Sequence, residues 1–112
     1  MAKINGGITF NTKEPIPDGA IATIQILDVS LADAPAKKIA EAIIQNPKTF
    51  PINFEIQYDS KLLSNPHGDY VINARIETNG KLNFITDTKF SVFDHNTKSA
   101  LNSIDFNVIK VN

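Results

Sequence analysis

Phe50-Pro51-Ile52-Asn53-Phe54-Glu55-Ile56-Gln57-Tyr58 constrains this chain more than any other stretch. Phe50, Ile52, Phe54, Ile56 and Tyr58 fall on one parity, and Asn53, Glu55 and Gln57 fall on the other. Successive strand side chains point to opposite faces, so this alternation describes a strand buried on one side and wet on the other. A sheet with one apolar face needs a second layer to cover it. Pro51 stands near the start, where a missing ladder donor is tolerated.

The rest of the chain repeats the theme. Ile4 to Phe10 reads as a first strand, bent or bulged at Gly6-Gly7. Ala20 to Val29 is a second, with Ala22, Ile24 and Ile26 on one face; the parity breaks after Leu27, which predicts a bulge near Leu27-Asp28. Between them, Glu14-Pro15-Ile16-Pro17-Asp18-Gly19 is a Pro/Gly connector. Asn79-Gly80 is the clearest turn, because both residues tolerate the positive φ that a two-residue type I′ hairpin demands. It joins a strand with Tyr70, Ile72, Ala74 and Ile76 to one with Leu82 and Phe84. Phe90 to Phe93 is a short strand, and Asp94 to Ser99 is polar and turn-like. Ser103 to Val111 closes the chain, with Ile104, Phe106 and Val108 on one face and a parity shift at Ile109 and Val111 that predicts a bulge or two apolar faces. Asp59 to Gly68 is the longest polar connection, with Leu62 expected to pin it to the core.

Ala36 to Ile44 is ambiguous from its residues. It is rich in helix formers, and Ile39, Ala42 and Ile43 sit at helical spacing. The surrounding pattern of about seven or eight short strands instead asks for one more strand. The fold expected is all-β: a two-sheet antiparallel β-sandwich occupying residues 1–112 as a single domain.

Size and charge fit that reading and narrow the partners. A chain of 112 residues with 42% hydrophobic content can bury one core without staples. Eleven basic and twelve acidic residues nearly cancel, and Arg75 is the only Arg. Nucleic-acid readers concentrate basic residues and use Arg forks, so no nucleic-acid partner is expected, and the Lys37-Lys38 doublet reads as a solvated face. No Cys is present, which removes disulfides, thiolate metal sites and thiol nucleophiles. No run approaches the ~20 apolar residues of a membrane span.

Candidate chemistry is thin. His67 and His95 lie in separate turn-like segments with only Asp69 and Asp94 as neighbours, whereas a zinc site needs three or four converging ligands. Ser64 near His67 lacks a strained nucleophile turn. The carboxylate pairs Asp28/Asp33 and Asp87/Asp105 lack an evident cleft, and Asp28, Asp33 and Asp87 are better suited to accept backbone N–H bonds in turns. Gly6-Gly7 is followed by no helix that could present its N-terminus to a phosphate. The expectation is therefore no catalytic residue, no cofactor and no metal. Leu27, Ile43, Ile109 and Val111 fall off the core parity. They belong either to a second sheet or bulge, or to an apolar groove or open edge that takes a partner segment.

From Ala20 onward the order of motifs resembles the YscW/YbaY-type lipoprotein family. The most specific run is Leu27-Asp28-Val29-Ser30 with Ala32-Asp33-Ala34-Pro35. It is followed by Ile39-Ala40-Glu41, Pro51 to Asp59, Tyr70 to Ile76 and Gly80 to Thr88, so the resemblance spans about residues 4 to 111. It implies a β-sandwich, and thus a strand at Ala36 to Ile44. It also implies an outer-membrane lipoprotein facing the periplasm, whose named member acts as a pilotin, a chaperone that binds a secretin's C-terminal segment. Asp28, Asp33, Arg75 and Asp87 match positions where the family favours the same residue types, and no catalytic residue carries over. The expected function is thus a non-enzymatic binding module, pilotin-like, for a secretin or other envelope protein. The alternative is a small-ligand-binding or accessory structural domain of the envelope. A trimmed lipobox leader would place the chain in the periplasm, anchored to the outer membrane by a lipid that this sequence does not carry; if Met1 is the natural start, the expectation is cytoplasmic.

Overall fold

The computed structural model describes residues 2–12, 14–31, 33–65, 67–94, 96–97 and 99–111. The strands are β1 (Ala2–Thr9), β2 (Ala20–Asp28), β3 (Lys37–Gln45), β4 (Ile52–Tyr58), β5 (Tyr70–Thr78), β6 (Lys81–Ile85), β7 (Phe90–Ser91), β8 (Phe93–Asp94), β9 (Ser99–Ala100), β10 (Ser103–Asn107) and β11 (Ile109–Lys110), with a 3-10 turn at Ser60–Leu63. A smaller sheet has the order β10-β1-β4. A larger one runs β11-β6-β5-β2-β3, with β7 also on β5, and β8 pairs with β9. All pairs are antiparallel except β1 with β10, which is parallel.

The alternation of β4 is complete: Ile52, Phe54, Ile56 and Tyr58 are buried and the residues between them are exposed. These side chains, with Ile4, Ile8 and Phe106, face Ala22, Ile24, Ile26, Ile72, Ala74, Ile76 and Phe84 of the larger sheet in one core. Edge contacts between Phe54 and Phe106, and among Phe10, Phe50 and Phe84, fill the space between the layers. Lys37–Gln45 is a strand, so pairing with β2 overrides the helix formers in that stretch. The bulge expected near Leu27-Asp28 is not in β2, which pairs with β5 through Asp28 without a shift; the extra residue is Ile39 of β3, between the pairs Ile26↔Ala40 and Leu27↔Lys38. Asn79 and Gly80 both have positive φ, 53° and 79°, closing the two-residue hairpin between β5 and β6.

Three other expectations are corrected. Gly6-Gly7 is not a bulge, because β1 pairs with β4 from Ala2 to Ile8 without a register shift. Gly6 is required by close approach: a Cβ there would stand 1.7 Å from the carbonyl oxygen of Ile104 on β10. The connection after β4 is pinned by Leu63, which is buried, while Leu62 is exposed. At Val108 the chain changes sheets: β10 pairs with β1, and β11 pairs with β6. A change of layer, rather than a bulge, explains the parity shift at Ile109.

Candidate docking surface

The residues considered for catalysis are committed to local structure. Asp28 ends β2 and accepts from the Ser30 amide at 2.9 Å and from its hydroxyl. These bonds, the hydroxyl first, hold its carboxyl below the usual carboxylate range. Asp105 accepts from the Gly7 amide at 2.8 Å, tying β10 to β1. Among the described residues, the Asp87 carboxylate accepts from the Thr88 hydroxyl, at 3.0 Å, in place of the expected backbone bond. In the loop holding exposed Asp33, the turn is closed by the backbone, with the Ala34 amide on the Leu31 carbonyl. Ser64 donates to the Lys61 carbonyl at 2.7 Å, and the His67 amide donates to Asn65 Oδ1. His67 is exposed, and His95 lies outside the described residues. Among the described residues, no group of three or more His, Asp or Glu is placed to hold a metal.

The outer faces of the two sheets differ sharply. The smaller sheet turns out Lys3, Asn5, Gly7 and Thr9 from β1, Asn53, Glu55 and Gln57 from β4, and Ser103, Asp105 and Asn107 from β10. None of these is apolar beyond glycine. On the larger sheet, register places Ile43, Thr23, Arg75, Ile85 and Ile109 in one row across five strands, from β3 to β11. Ile21 lies beside this row on β2. Ile21 is 45% exposed, Ile43 56% and Ile109 38%. Half-buried Leu27 continues the outward series of β2.

Polar groups on this face hold one another. Arg75 Nε lies 2.8 Å from a carboxylate oxygen of Glu77, two residues along the same face. Gln25 Nε2 donates to Glu41 at 2.8 Å, and Lys38 lies 3.7 Å from Glu41. The Gln25 bond, then Lys38 and Arg75, lower the Glu41 pKa. Ile21 and Ile43 stand exposed beside these polar groups. The sequence singled out Ile43 and Ile109 by parity but missed Ile21, whose parity matches polar Thr23 and Gln25.

A second feature lies at one end of the sandwich. Two hollows of about 310 and 260 Å³ flank half-buried Phe50. One is lined by Phe10 and Pro51 together with Thr9, Asn11 and Thr12, the other by Glu14, Pro15 and Thr49. Neither is lined by a histidine.

The smaller sheet is thus polar outside, the larger sheet carries exposed isoleucines among polar groups, and the carboxylates are committed to local structure. Comparisons with known proteins place this chain in a family. The profile of the family described as "Type III secretion system lipoprotein chaperone (YscW)" matches residues 1–102, and the chain belongs to that family. It is similar to "Uncharacterized lipoprotein YbaY" of Escherichia coli (strain K12), 33% identical over 86 residues. That match covers 76% of this chain and 45% of the relative, so this chain spans about half the length of the curated relative. Among solved structures it is similar to an alternative pilotin from the type II secretion system of Vibrio cholerae. The TM-score is 0.87 at 35% identity, covering 98% of this chain and 96% of that one.

Proposed function

We propose that this chain is a non-enzymatic, single-domain binding module of the bacterial envelope that holds a segment of an outer-membrane secretin, as a pilotin does. The observation that carries the reading is the exposed pair Ile21 and Ile43 on neighbouring strands β2 and β3 of the larger sheet, opposite a smaller sheet that is polar outside. Membership in a lipoprotein chaperone family and similarity to a type II pilotin support the partner class. The same relatives support a periplasmic site at the outer membrane. With no Cys among its 112 residues, an amino-terminal lipid would be carried by residues outside them.

The test is recovery of secretin from cross-linked envelopes with the periplasm-directed chain, compared with an Ile21→Thr/Ile43→Thr variant. We expect secretin with the wild type and at least about a tenfold loss with the variant, since two exposed isoleucines are replaced without touching the core. Equal recovery by both, or none by either, sinks the reading.

A further inference from the structure

β3 ends the larger sheet: it pairs with β2, and none of the described residues pairs with its other side. The direction of its free groups follows from the register. The Asn46 amide donates to the Ala20 carbonyl at 2.8 Å, continuing the pairs Ile21↔Gln45, Ala22↔Ile44, Thr23↔Ile43, Ile24↔Ala42 and Gln25↔Glu41. Bonded and non-bonded pairs alternate along an antiparallel ladder. Ala42 and Ile44 therefore bond to β2, while Glu41, Ile43 and Gln45 turn their N–H and C=O groups to the open side. The next ladder agrees: the Ala74 carbonyl accepts from the Thr86 amide, on the side away from β2. Glu41, Ile43 and Gln45 are all exposed.

The two edge strands β3 and β4 are finished differently. Every inward side chain of β4 is buried, whereas Ala40, Ala42 and Ile44 of β3 pack against the core and remain half-exposed. The devices that protect natural edges, charges and a bulge, gather at the start of β3, at Lys37, Lys38 and the register shift. From Ala42 to Gln45 there is no charge, proline or bulge.

We propose that this open half of β3 accepts an extended segment of the partner protein as an antiparallel strand. This inference rests on the reading of the chain as a segment-binding module. Large apolar side chains of the segment lie over Ala40 and Ala42, where the inner face is thinnest. A basic residue faces Glu41 and an acidic one, two residues further along the segment, faces Lys38, because Ile39 is the extra residue of β3 and leaves Lys38 on the same face as Glu41. A helix offers no free backbone groups to Glu41, Ile43 and Gln45. A second copy pairing about Glu41 would set Glu41 against Glu41, and pairing about Ile43 overlaps only residues 41–45.

The probe is the peptide Thr-Val-Thr-Phe-Lys-Phe-Glu-Ser, written to oppose Gln45 through Lys37 with Ile39 skipped as the extra residue of β3, together with a scrambled peptide of equal composition. Amide hydrogen exchange of the full chain is read by NMR with each. We expect exchange at Glu41, Ile43 and Gln45 to slow by about tenfold or more with the designed peptide, with Ala42 and Ile44 unchanged. Ile43→Pro removes an N–H on the open side without a β2 bond and abolishes that protection; Ile43→Thr keeps the N–H and retains it. Ala42→Pro loses a β2 bond and serves as the measure of a broken ladder. Protection absent at millimolar peptide, equal with the scrambled peptide, or retained in a folded Ile43→Pro overturns the proposal. So does protection without peptide together with a dimer in sedimentation, which gives the edge to a second copy. A failed peptide experiment alongside secretin recovery that depends on Ile21 and Ile43 would reject the strand mode alone and leave the function reading standing.

Discussion

The smaller sheet and the larger sheet answer different demands with the same alternation. In the smaller sheet, Asn53, Glu55 and Gln57 face water and every inward β4 side chain is buried, so the layer is finished on both sides. Its difficulty is assembly: β1 and β10 come from opposite ends of the chain and pair in parallel, which requires Gly6 and the Asp105–Gly7 bond. The larger sheet contains two hairpins of consecutive strands, β2-β3 and β5-β6, and its outer face keeps Ile21, Ile43 and Ile109 exposed. Ile21 and Ile43 lie on neighbouring strands, and exposed apolar side chains that adjoin one another mark a surface with a further task. One sheet spends its special residues on holding the fold and the other on keeping a face and an edge open.

The largest test of this contrast is Gly6→Ala. A methyl 1.7 Å from the Ile104 carbonyl cannot be accommodated without separating β10 from β1. We expect a loss of about 3 kcal/mol or more in urea melts, at the upper end of overpacking effects. A loss under about 1 kcal/mol would show that the smaller sheet does not depend on that close approach.

Asp105→Ala acts on the same pair more gently. It leaves the amide of buried Gly7 without its side-chain acceptor, and a stranded buried donor costs about 1–3 kcal/mol. Asn at this position keeps an acceptor and should recover most of the loss.

Asp28 lies in the larger sheet, where β2 ends, and its effect is smaller and pH-dependent. Its folded pKa is lowered, so its contribution is complete above its unfolded value, near 3.8, and fades as pH falls through the folded value. Because the group is largely solvated, Asp28→Asn should cost only about 0.5–1 kcal/mol at neutral pH. The difference from wild type should shrink as pH falls below about 3.8 in acid titrations followed by circular dichroism. A constant difference across that range would mean that Ser30 does not bind the ionised carboxylate preferentially.

The smallest stability effect is expected for Ile21→Thr/Ile43→Thr, within about 0.5 kcal/mol, because neither side chain serves the core. Thr is also at home on a strand surface. A loss of several kcal/mol would mean that the outer row holds the larger sheet together, erasing the distinction between the faces.

Much of this was legible in the chain. Period-two alternation located β4, and Asn79-Gly80 located the hairpin, because both signals are local and arise from backbone geometry. The resemblance resolved β3, where local propensity pointed the other way. Gly6 was misread because a glycine needed for close approach and one needed for a bulge look alike in sequence; the carbonyl that decides between them belongs to Ile104. Leu62 and Leu63 are adjacent in a 3-10 turn, where neither periodicity says which points inward. For the candidate surface, parity flagged Ile43 and Ile109 but could not say that they share a row, since that depends on the registers of five strands.

The amino-acid sequence by itself determined that the chain alternates in strands, that it turns at Asn79-Gly80, and to which family it belongs. Only the tertiary structure decided which strand carries a free edge, which glycine has a carbonyl against it, and that exposed Ile21 and Ile43 lie on neighbouring strands. The physical reason is range. Alternation and turn chemistry act over two to four residues, whereas an edge, a close approach or a surface row exists only once strands distant in the chain are in register.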